Sequence, residues 1–231
     1  MTTTLYNEDN ISVCRKFRDT NTKFDLIYGD CIYESTNTNW ITYAEAVLKE
    51  NGILIIQTDY HSLYWHLSNM QYYVGIKQLT FVNHLIYMNN WGGTPRNRFA
   101  QKHDDILVYC KGDSWKWYPD RIQIPKATAG TAFDKKGTGT KTPPSVFYDH
   151  ASFSTMSNER VQVGDKCFSM QKPEWLMERL LLPFTDEGDE VLDLFAGTGT
   201  LGVVCKKYNR NYTGIEIDTN LFIEAELRIN K

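Results

Sequence analysis

The stretch VLDLFAGTGTLGVV, residues 191–204, decides how this chain is read. Residues 191–194 are a short, mostly apolar run and read as a buried strand. Phe195-Ala196-Gly197-Thr198-Gly199-Thr200 then turns the chain, and residues 201–208 carry a helical pattern. Glycines at such a turn let the backbone approach a ligand with no Cβ in the way. The carboxyl end of a strand in an open α/β sheet is also where ligands bind. A second strand, 212–217, passes Gly214-Ile215 and carries Glu216, 19 residues beyond Gly197. At that spacing an acidic side chain reaches the ribose hydroxyls of a bound nucleoside. No Gly-Lys-Ser/Thr follows, which excludes a Walker phosphate loop. Gly202 is read as out of place for the third glycine of a dinucleotide fingerprint, so the expected ligand is a nucleoside without a diphosphate.

Working outward, residues 24–28 (FDLIY) read as another buried strand, ending at Gly29-Asp30. Residues 39–50 are helical in pattern and closed by Asn51-Gly52, followed by a strand at 53–57 and a helix at 60–70. Residues 85–88 and 106–109 are two further strands, joined by a basic turn over 92–98. Residues 126–145, with three glycines, four lysines and two prolines, read as a mobile loop. Pro173 opens a helix that Pro183 stops; the strand beginning at 190 and a last helix at 219–230 complete the chain. Strands alternating with helices at both ends predict one α/β domain over 1–231, with a parallel or mixed sheet, interrupted by an insertion.

Composition narrows the class. A hydrophobic content of 42% and a charged content of 23% suit a globular domain, and the apolar run at 53–56 is far too short to span a bilayer. The start, MTTTLYNEDN, lacks a basic and then apolar leader, so an intracellular, cytoplasmic setting is expected. Five widely spaced cysteines without a C-x-x-C pair point to reduced thiols and to no zinc site. His61, His66 and His84 are read as lacking carboxylate or cysteine partners at metal spacing, so no metal is expected. Trp115 and Trp117 are read as alternating on a structural strand. The net charge is −3, yet residues 93–141 hold ten Lys/Arg against five Asp/Glu, a net of +5. A basic segment on an acidic body is what contact with phosphates requires.

Taken in order, these segments resemble the β-group of amino DNA methyltransferases, in which the catalytic motif precedes the cofactor motif. Tyr6-Asn7-Glu8-Asp9 is similar to the family's opening segment. Residues 24–33 (FDLIYGDCIY) stand where the family has a strand ending in Asp-Pro-Pro-Tyr. Gly52 to Asp59 and His61, then Gly92-Gly93, Arg96, Arg98-Phe99 and Lys102-His103-Asp104, are similar to the segments that follow. Gln171-Lys172-Pro173 matches the family's Gln-Lys-Pro, and Phe195-Ala-Gly-Thr-Gly its cofactor turn. The resemblance implies a Rossmann-like fold and S-adenosylmethionine as cofactor. It implies cofactor contacts at Asp9, Gln171, Lys172, Asp193, Phe195, Ala196, Gly197, Thr198, Gly199, Thr200 and Glu216. The methionine portion is expected near the glycine turn and Lys172, and the ribose at Glu216. Target recognition is expected over about 85–165, with DNA contacts from Arg96, Arg98 and Lys102.

The catalytic residues implied are Asp30, Cys31, Ile32 and Tyr33. An exocyclic amino nitrogen is a poor nucleophile because its lone pair is delocalised into the ring. A carboxylate (Asp30) and a backbone carbonyl (Cys31) accepting its two N–H bonds would favour the tetrahedral, positively charged transition state. Tyr33 would stack on the extruded base. Asp at the first position implies adenine N6 rather than cytosine N4. Both prolines are replaced, by Cys31 and Ile32, which removes rigidity worth about 0.4–1 kcal/mol each. That departure keeps a catalytically silent, partner-supporting subunit as the alternative. The expected partner is DNA, with a homodimer or a second methyltransferase-like subunit left open.

Overall fold

Along FDLIYGD every second side chain faces the same way, and apolar residues occupy both faces, as in a strand covered on both sides. The computed structural model places this strand near the middle of the sheet. It describes residues 1–31, 36–76, 78–89, 93, 95–135, 137–147, 159–163, 166–168 and 170–231, with the backbone alone at 162, 163, 166 and 167. In chain order the elements are β1 (Thr3–Tyr6), α1 (Asn10–Asp19), β2 (Phe24–Asp30), α2 (Trp40–Val47), β3 (Leu48–Thr58), α3 (Tyr60–Gly75), β4 (Leu79–Met88) and β5 (His103–Lys111). Five two-residue strands follow: β6 (Ile124–Pro125), β7 (Thr140–Lys141), β8 (Val146–Phe147), β9 (Gln162–Val163) and β10 (Lys166–Cys167). The chain ends with α4 (Glu174–Leu181), β11 (Glu190–Asp193), α5 (Thr200–Lys207), β12 (Asn211–Ile215) and α6 (Thr219–Asn230).

The main sheet has eight strands in the order β1-β12-β11-β2-β3-β5-β4-β8. β5 runs antiparallel to both neighbours and the other pairings are parallel. The mixed, mostly parallel α/β sheet expected from the sequence is therefore present. From β11 the chain crosses through α5 to β12, and from β2 through α2 to β3, in opposite directions along the sheet. The carboxyl ends of β11 and β2 thus flank a topological switch point, the crevice where open α/β sheets hold ligands. Ile27, Leu54, Ile56 and Leu107 pack in the same cluster as Val13, Trp40 and Ile41 of α1 and α2. On the opposite face Leu26, Ile55, Ile106 and Val108 share a cluster with Leu176, Leu180, Val204 and Ile229 of α4, α5 and α6. Each such fully buried side chain contributes about 1.5–3 kcal/mol, which fixes the strand ends against each other.

Several expectations are corrected. The helix read over 39–50 stops at Val47, and Asn51-Gly52 lies inside β3. There Asn51 takes φ +63° and the pairing jumps from Phe24↔Leu48 to Leu26↔Ile53. An irregular strand start has no period, so its residues passed for the end of a helix. Trp115 and Trp117 lie on an irregular segment, with Trp117 tilted on Phe184 at 5.4 Å, and not on a strand. Much of 126–145 is a succession of hydrogen-bonded turns. β7 pairs with β6, and Asp134 accepts from Lys126 Nζ at 2.6 Å and from the Gly139 N–H at 2.7 Å. The four cysteines with described side chains, Cys14, Cys31, Cys110 and Cys205, are free and buried. Among the described residues no helix is long and apolar enough to cross a membrane.

Candidate active site

β11 ends in Asp193, and the turn after it doubles back toward β12. The Ala196 N–H donates to the Ile215 carbonyl at 2.9 Å, and the Gly197 N–H to Glu216 Oε2 at 2.8 Å. Gly197 takes φ +53°, a left-handed conformation that a β-branched residue resists. Gly199 and Gly202 serve another purpose. An added Cβ on Gly199 would stand 2.9 Å from Ile229 Cδ1, and one on Gly202 would stand 2.4 Å from it. Both glycines let α5 lie close to α6, and Gly202 also lies against β12, where an added Cβ would stand 2.7 Å from Tyr212 Cε1; that close helix–strand approach is the third-glycine role in a G-x-G-x-x-G turn. Residues 197–202 therefore do complete that spacing, and the reading of Gly202 as misplaced is corrected.

β2 lies beside β11, with Tyr28 opposite Asp193 and the Leu194 N–H donating to the Tyr28 carbonyl at 3.0 Å. The two strand ends open into one cavity of about 710 Å³, within the range of sites that hold a small ligand. Of the residues implied by the resemblance, Asp9, Asp30, Cys31, Gln171, Lys172, Asp193, Phe195, Ala196, Gly197, Thr198, Thr200 and Glu216 line it. Gly199 does not line it. Ile32 and Tyr33 lie outside the described residues. Asp9 also caps α1, accepting from the Ser12 N–H at 2.9 Å.

The lysine before α4 reaches across the cavity floor. Lys172 Nζ is 2.7 Å from Asp30 Oδ2 and 3.6 Å from Asp104 Oδ2, rather than turned solely toward the glycine turn. Asp104 accepts from Gln57 Nε2 at 2.8 Å and Asn89 Nδ2 at 3.2 Å, and Gln57 accepts from the Tyr28 hydroxyl at 2.7 Å. This buried relay fixes Lys172, and Lys172 fixes Asp30. Among the described residues nothing hydrogen-bonds the other carboxylate oxygen, Asp30 Oδ1. An unpaired buried acceptor is costly, and Asp30 is one of the residues that line the cavity. Burial pushes the Asp30 carboxyl up to about 6, with Lys172 opposing the rise and Asp104 adding to it. Burial pushes Asp193 up to about 7, against the Phe195 N–H and the Tyr212 hydroxyl, with Asp30 and Glu216 adding to the rise. Burial also raises Glu216, against the Asp218 and Gly197 N–H groups.

Gln57, Asn89 and Asp104 had no assigned role in the sequence reading. Their signal was polarity in the wrong place: Gln57 is fully buried at the end of an apolar strand, and Asp104 opens another. The histidines also have partners. His61 meets Asp59 at 2.9 Å, His84 meets Asp105 at 2.7 Å, and His66 meets Cys31 at 3.4 Å. Arg96 and Arg98 are exposed on the β4–β5 connection, and Lys102 is half-buried; none lines the cavity. Among the described residues at 93–141, at least four basic side chains are committed within the chain: Lys111 to Glu45, Lys116 to Asp189, Arg121 to Asp186 and Lys126 to Asp134. The basic excess available to a partner is smaller than the composition implied.

Comparisons with known proteins bear on this arrangement. The N6_N4_Mtase family model, described as DNA methylase, matches residues 19–226. The type II methyltransferase M.HpaI of Haemophilus parainfluenzae is 27% identical over 212 residues, covering 86% of this chain and 60% of that protein. The type II methyltransferase M.HinfI of Haemophilus influenzae is 28% identical over 209 residues, covering 86% of this chain and 52% of that protein. The chain thus spans little more than half the length of these relatives. Among solved structures, the M1.HpyAVI–SAM complex superposes with a TM-score of 0.69 at 23% identity, covering 98% of this chain and 100% of that one. PvuII DNA methyltransferase (cytosine-N4-specific) superposes with 0.72 at 14% identity, covering 99% and 86%. These likenesses show a shared fold, and the family match extends over most of the sequence. The chain belongs to the N6/N4 DNA methylase family.

Proposed function

We propose that this chain transfers a methyl group from S-adenosylmethionine to an exocyclic amino group of a DNA base, with adenine N6 as the target. The observation that carries the reading is Asp30, whose Oδ1 has no hydrogen-bond partner among the described residues, in the lining of the cavity that Gly197 and Glu216 also line. A nucleoside sulfonium fits this lining: a carboxylate for the ribose, an edge-on Trp40–Phe195 aromatic pair at 5.6 Å, and buried carboxylates for cationic groups. When bound, the cofactor supplies an electrophilic methyl group.

The chain's own residues do the rest. Asp30 Oδ1 and the Cys31 carbonyl accept the two N–H bonds of the amino group, drawing its lone pair out of the ring and offsetting the growing positive charge. Lys172, anchored by Asp104, holds Asp30 through Oδ2 and leaves Oδ1 to the substrate. The exposed Arg96 and Arg98 contact DNA, with Lys102 beside them, and the parts of 85–165 outside β4 and β5 recognise the target. Asp rather than Ser before Cys31 favours adenine; the fold is common to the cytosine-N4 class and does not choose between them.

The test is incubation with labelled cofactor and mixed-sequence DNA, then digestion and identification of the labelled nucleoside. N6-methyladenine, lost in Asp30→Ala, supports the reading. N4-methylcytosine corrects the base, and cofactor binding without transfer to any DNA supports the silent subunit.

A further inference from the structure

Cys31 stands where the resembling family has the first proline of its catalytic motif. Just past the end of β2, it packs in the same buried cluster as Ile27, Trp40 and Ile41. There it is 4% exposed, with Sγ 3.4 Å from His66 Nε2 and 3.9 Å from both the Gln57 carbonyl and Thr58 Oγ1. His66 is wholly buried on α3, and its Nδ1 lies 2.9 Å from the Ser62 carbonyl one turn earlier. A carbonyl only accepts, so Nδ1 carries the proton and Nε2 is left as an acceptor. Burial lowers the His66 pKa and pushes the Cys31 thiol up to about 12, so the pair is a neutral imidazole and an intact S–H. The thiol therefore donates to Nε2. α3 is itself pinned at its start, where Asp59 accepts from the Ser62 and His61 N–H groups.

We infer that Cys31 and His66 form a positioning pair that holds the Cys31 carbonyl in place by a side-chain tether to α3, doing the work the missing proline's ring would do. The inference rests on the proposed reading of Asp30 and Cys31 as the methyl-accepting corner. A proline restrains the backbone from within the residue, whereas Cys31 restrains it through a hydrogen bond to a fixed helix. Losing Cys31 removes the donor to the buried His66 Nε2, whereas losing His66 leaves the thiol only the longer contacts to the Gln57 carbonyl and Thr58 Oγ1.

The test combines steady-state kinetics on mixed-sequence duplex DNA, cofactor affinity by calorimetry and amide hydrogen exchange. Cys31→Ala and His66→Leu should each lower kcat by about two- to tenfold, with cofactor Kd moving less than about twofold. The double variant should be no slower than the worse single one, because both remove one interaction. Cys31→Ser, which keeps an O–H donor, should recover part of the turnover lost in Cys31→Ala. Cys31→Pro in the His66→Leu background should exceed His66→Leu alone. Additive losses, or reduced melting temperature with kcat unchanged, would overturn the pair as a positioning device. If wild type transfers no methyl group, the proposed function fails and exchange alone judges the tether. Faster exchange of the peptide containing Cys31 in His66→Leu supports it, and unchanged exchange overturns it.

Discussion

Replacing Asp193 by Asn should stabilise the folded chain, and the gain should grow with pH. Asp193 is 2% exposed at the end of β11, and burial holds its carboxyl at about 7 against an ordinary 3.8. Below the unfolded value both states carry the proton and nothing is lost. Between the two values the folded state keeps a proton that the unfolded state has released, so stability falls as pH rises. Above the folded value the full cost is in place: three units at 1.36 kcal/mol each, about 4 kcal/mol. At pH 5 the cost is about 2 kcal/mol by the same relation. Asn keeps an oxygen for the Phe195 N–H and presents its amide to the Tyr212 hydroxyl, which can accept. Urea denaturation of both proteins at pH 5 and pH 8 should show an advantage for Asp193→Asn that widens by roughly 2–3 kcal/mol. An advantage equal at both pH values, or none, would refute the account of Asp193 as a buried charge. Its retention in the sequence is explained if the charge serves the cationic cofactor, so the same variant should bind S-adenosylmethionine more weakly.

Transfer should require ionised Asp30, so single-turnover rates should rise about tenfold per pH unit below 6 and level off above it. Lys172→Met removes the opposing charge and should move that rise to higher pH; an unmoved profile would sever Lys172 from Asp30. Gly202→Ala should cost about 1–3 kcal/mol, because the new methyl meets Ile229 and the Tyr212 ring; an unchanged urea midpoint would contradict this packing. Arg96→Ala and Arg98→Ala should each weaken DNA binding and lower the slope of log affinity against log salt by about one; an unchanged slope would remove them from the phosphate-contacting set.

Local pattern carried most of the architecture and little of the chemistry. The final helix, Thr219–Asn230, was readable to the residue because Asp218 caps it through the Asn220 and Leu221 N–H groups, a short-range signal. The glycine turn was readable because a strand, a bend and an acid follow one another in sequence. The start of β3 was not, because a shifted pairing breaks the period on which strand recognition depends. The Asp30–Lys172–Asp104 relay was invisible for another reason. It joins residues far apart in sequence, and only the neighbouring of β2, β3 and β5 in the sheet brings them together. Charge counting overstated the basic face because composition cannot tell a lysine paired within the chain, such as Lys116, from one turned outward.

In the proposed reaction, methyl donor and acceptor meet where β2 and β11 end side by side. A crystal structure of the chain with S-adenosylmethionine bound tests it most directly. Density is expected for the ribose at Glu216 and for the sulfonium methyl between Phe195 and Asp30. Density in another cavity, or a methyl group turned away from Asp30, would contradict it.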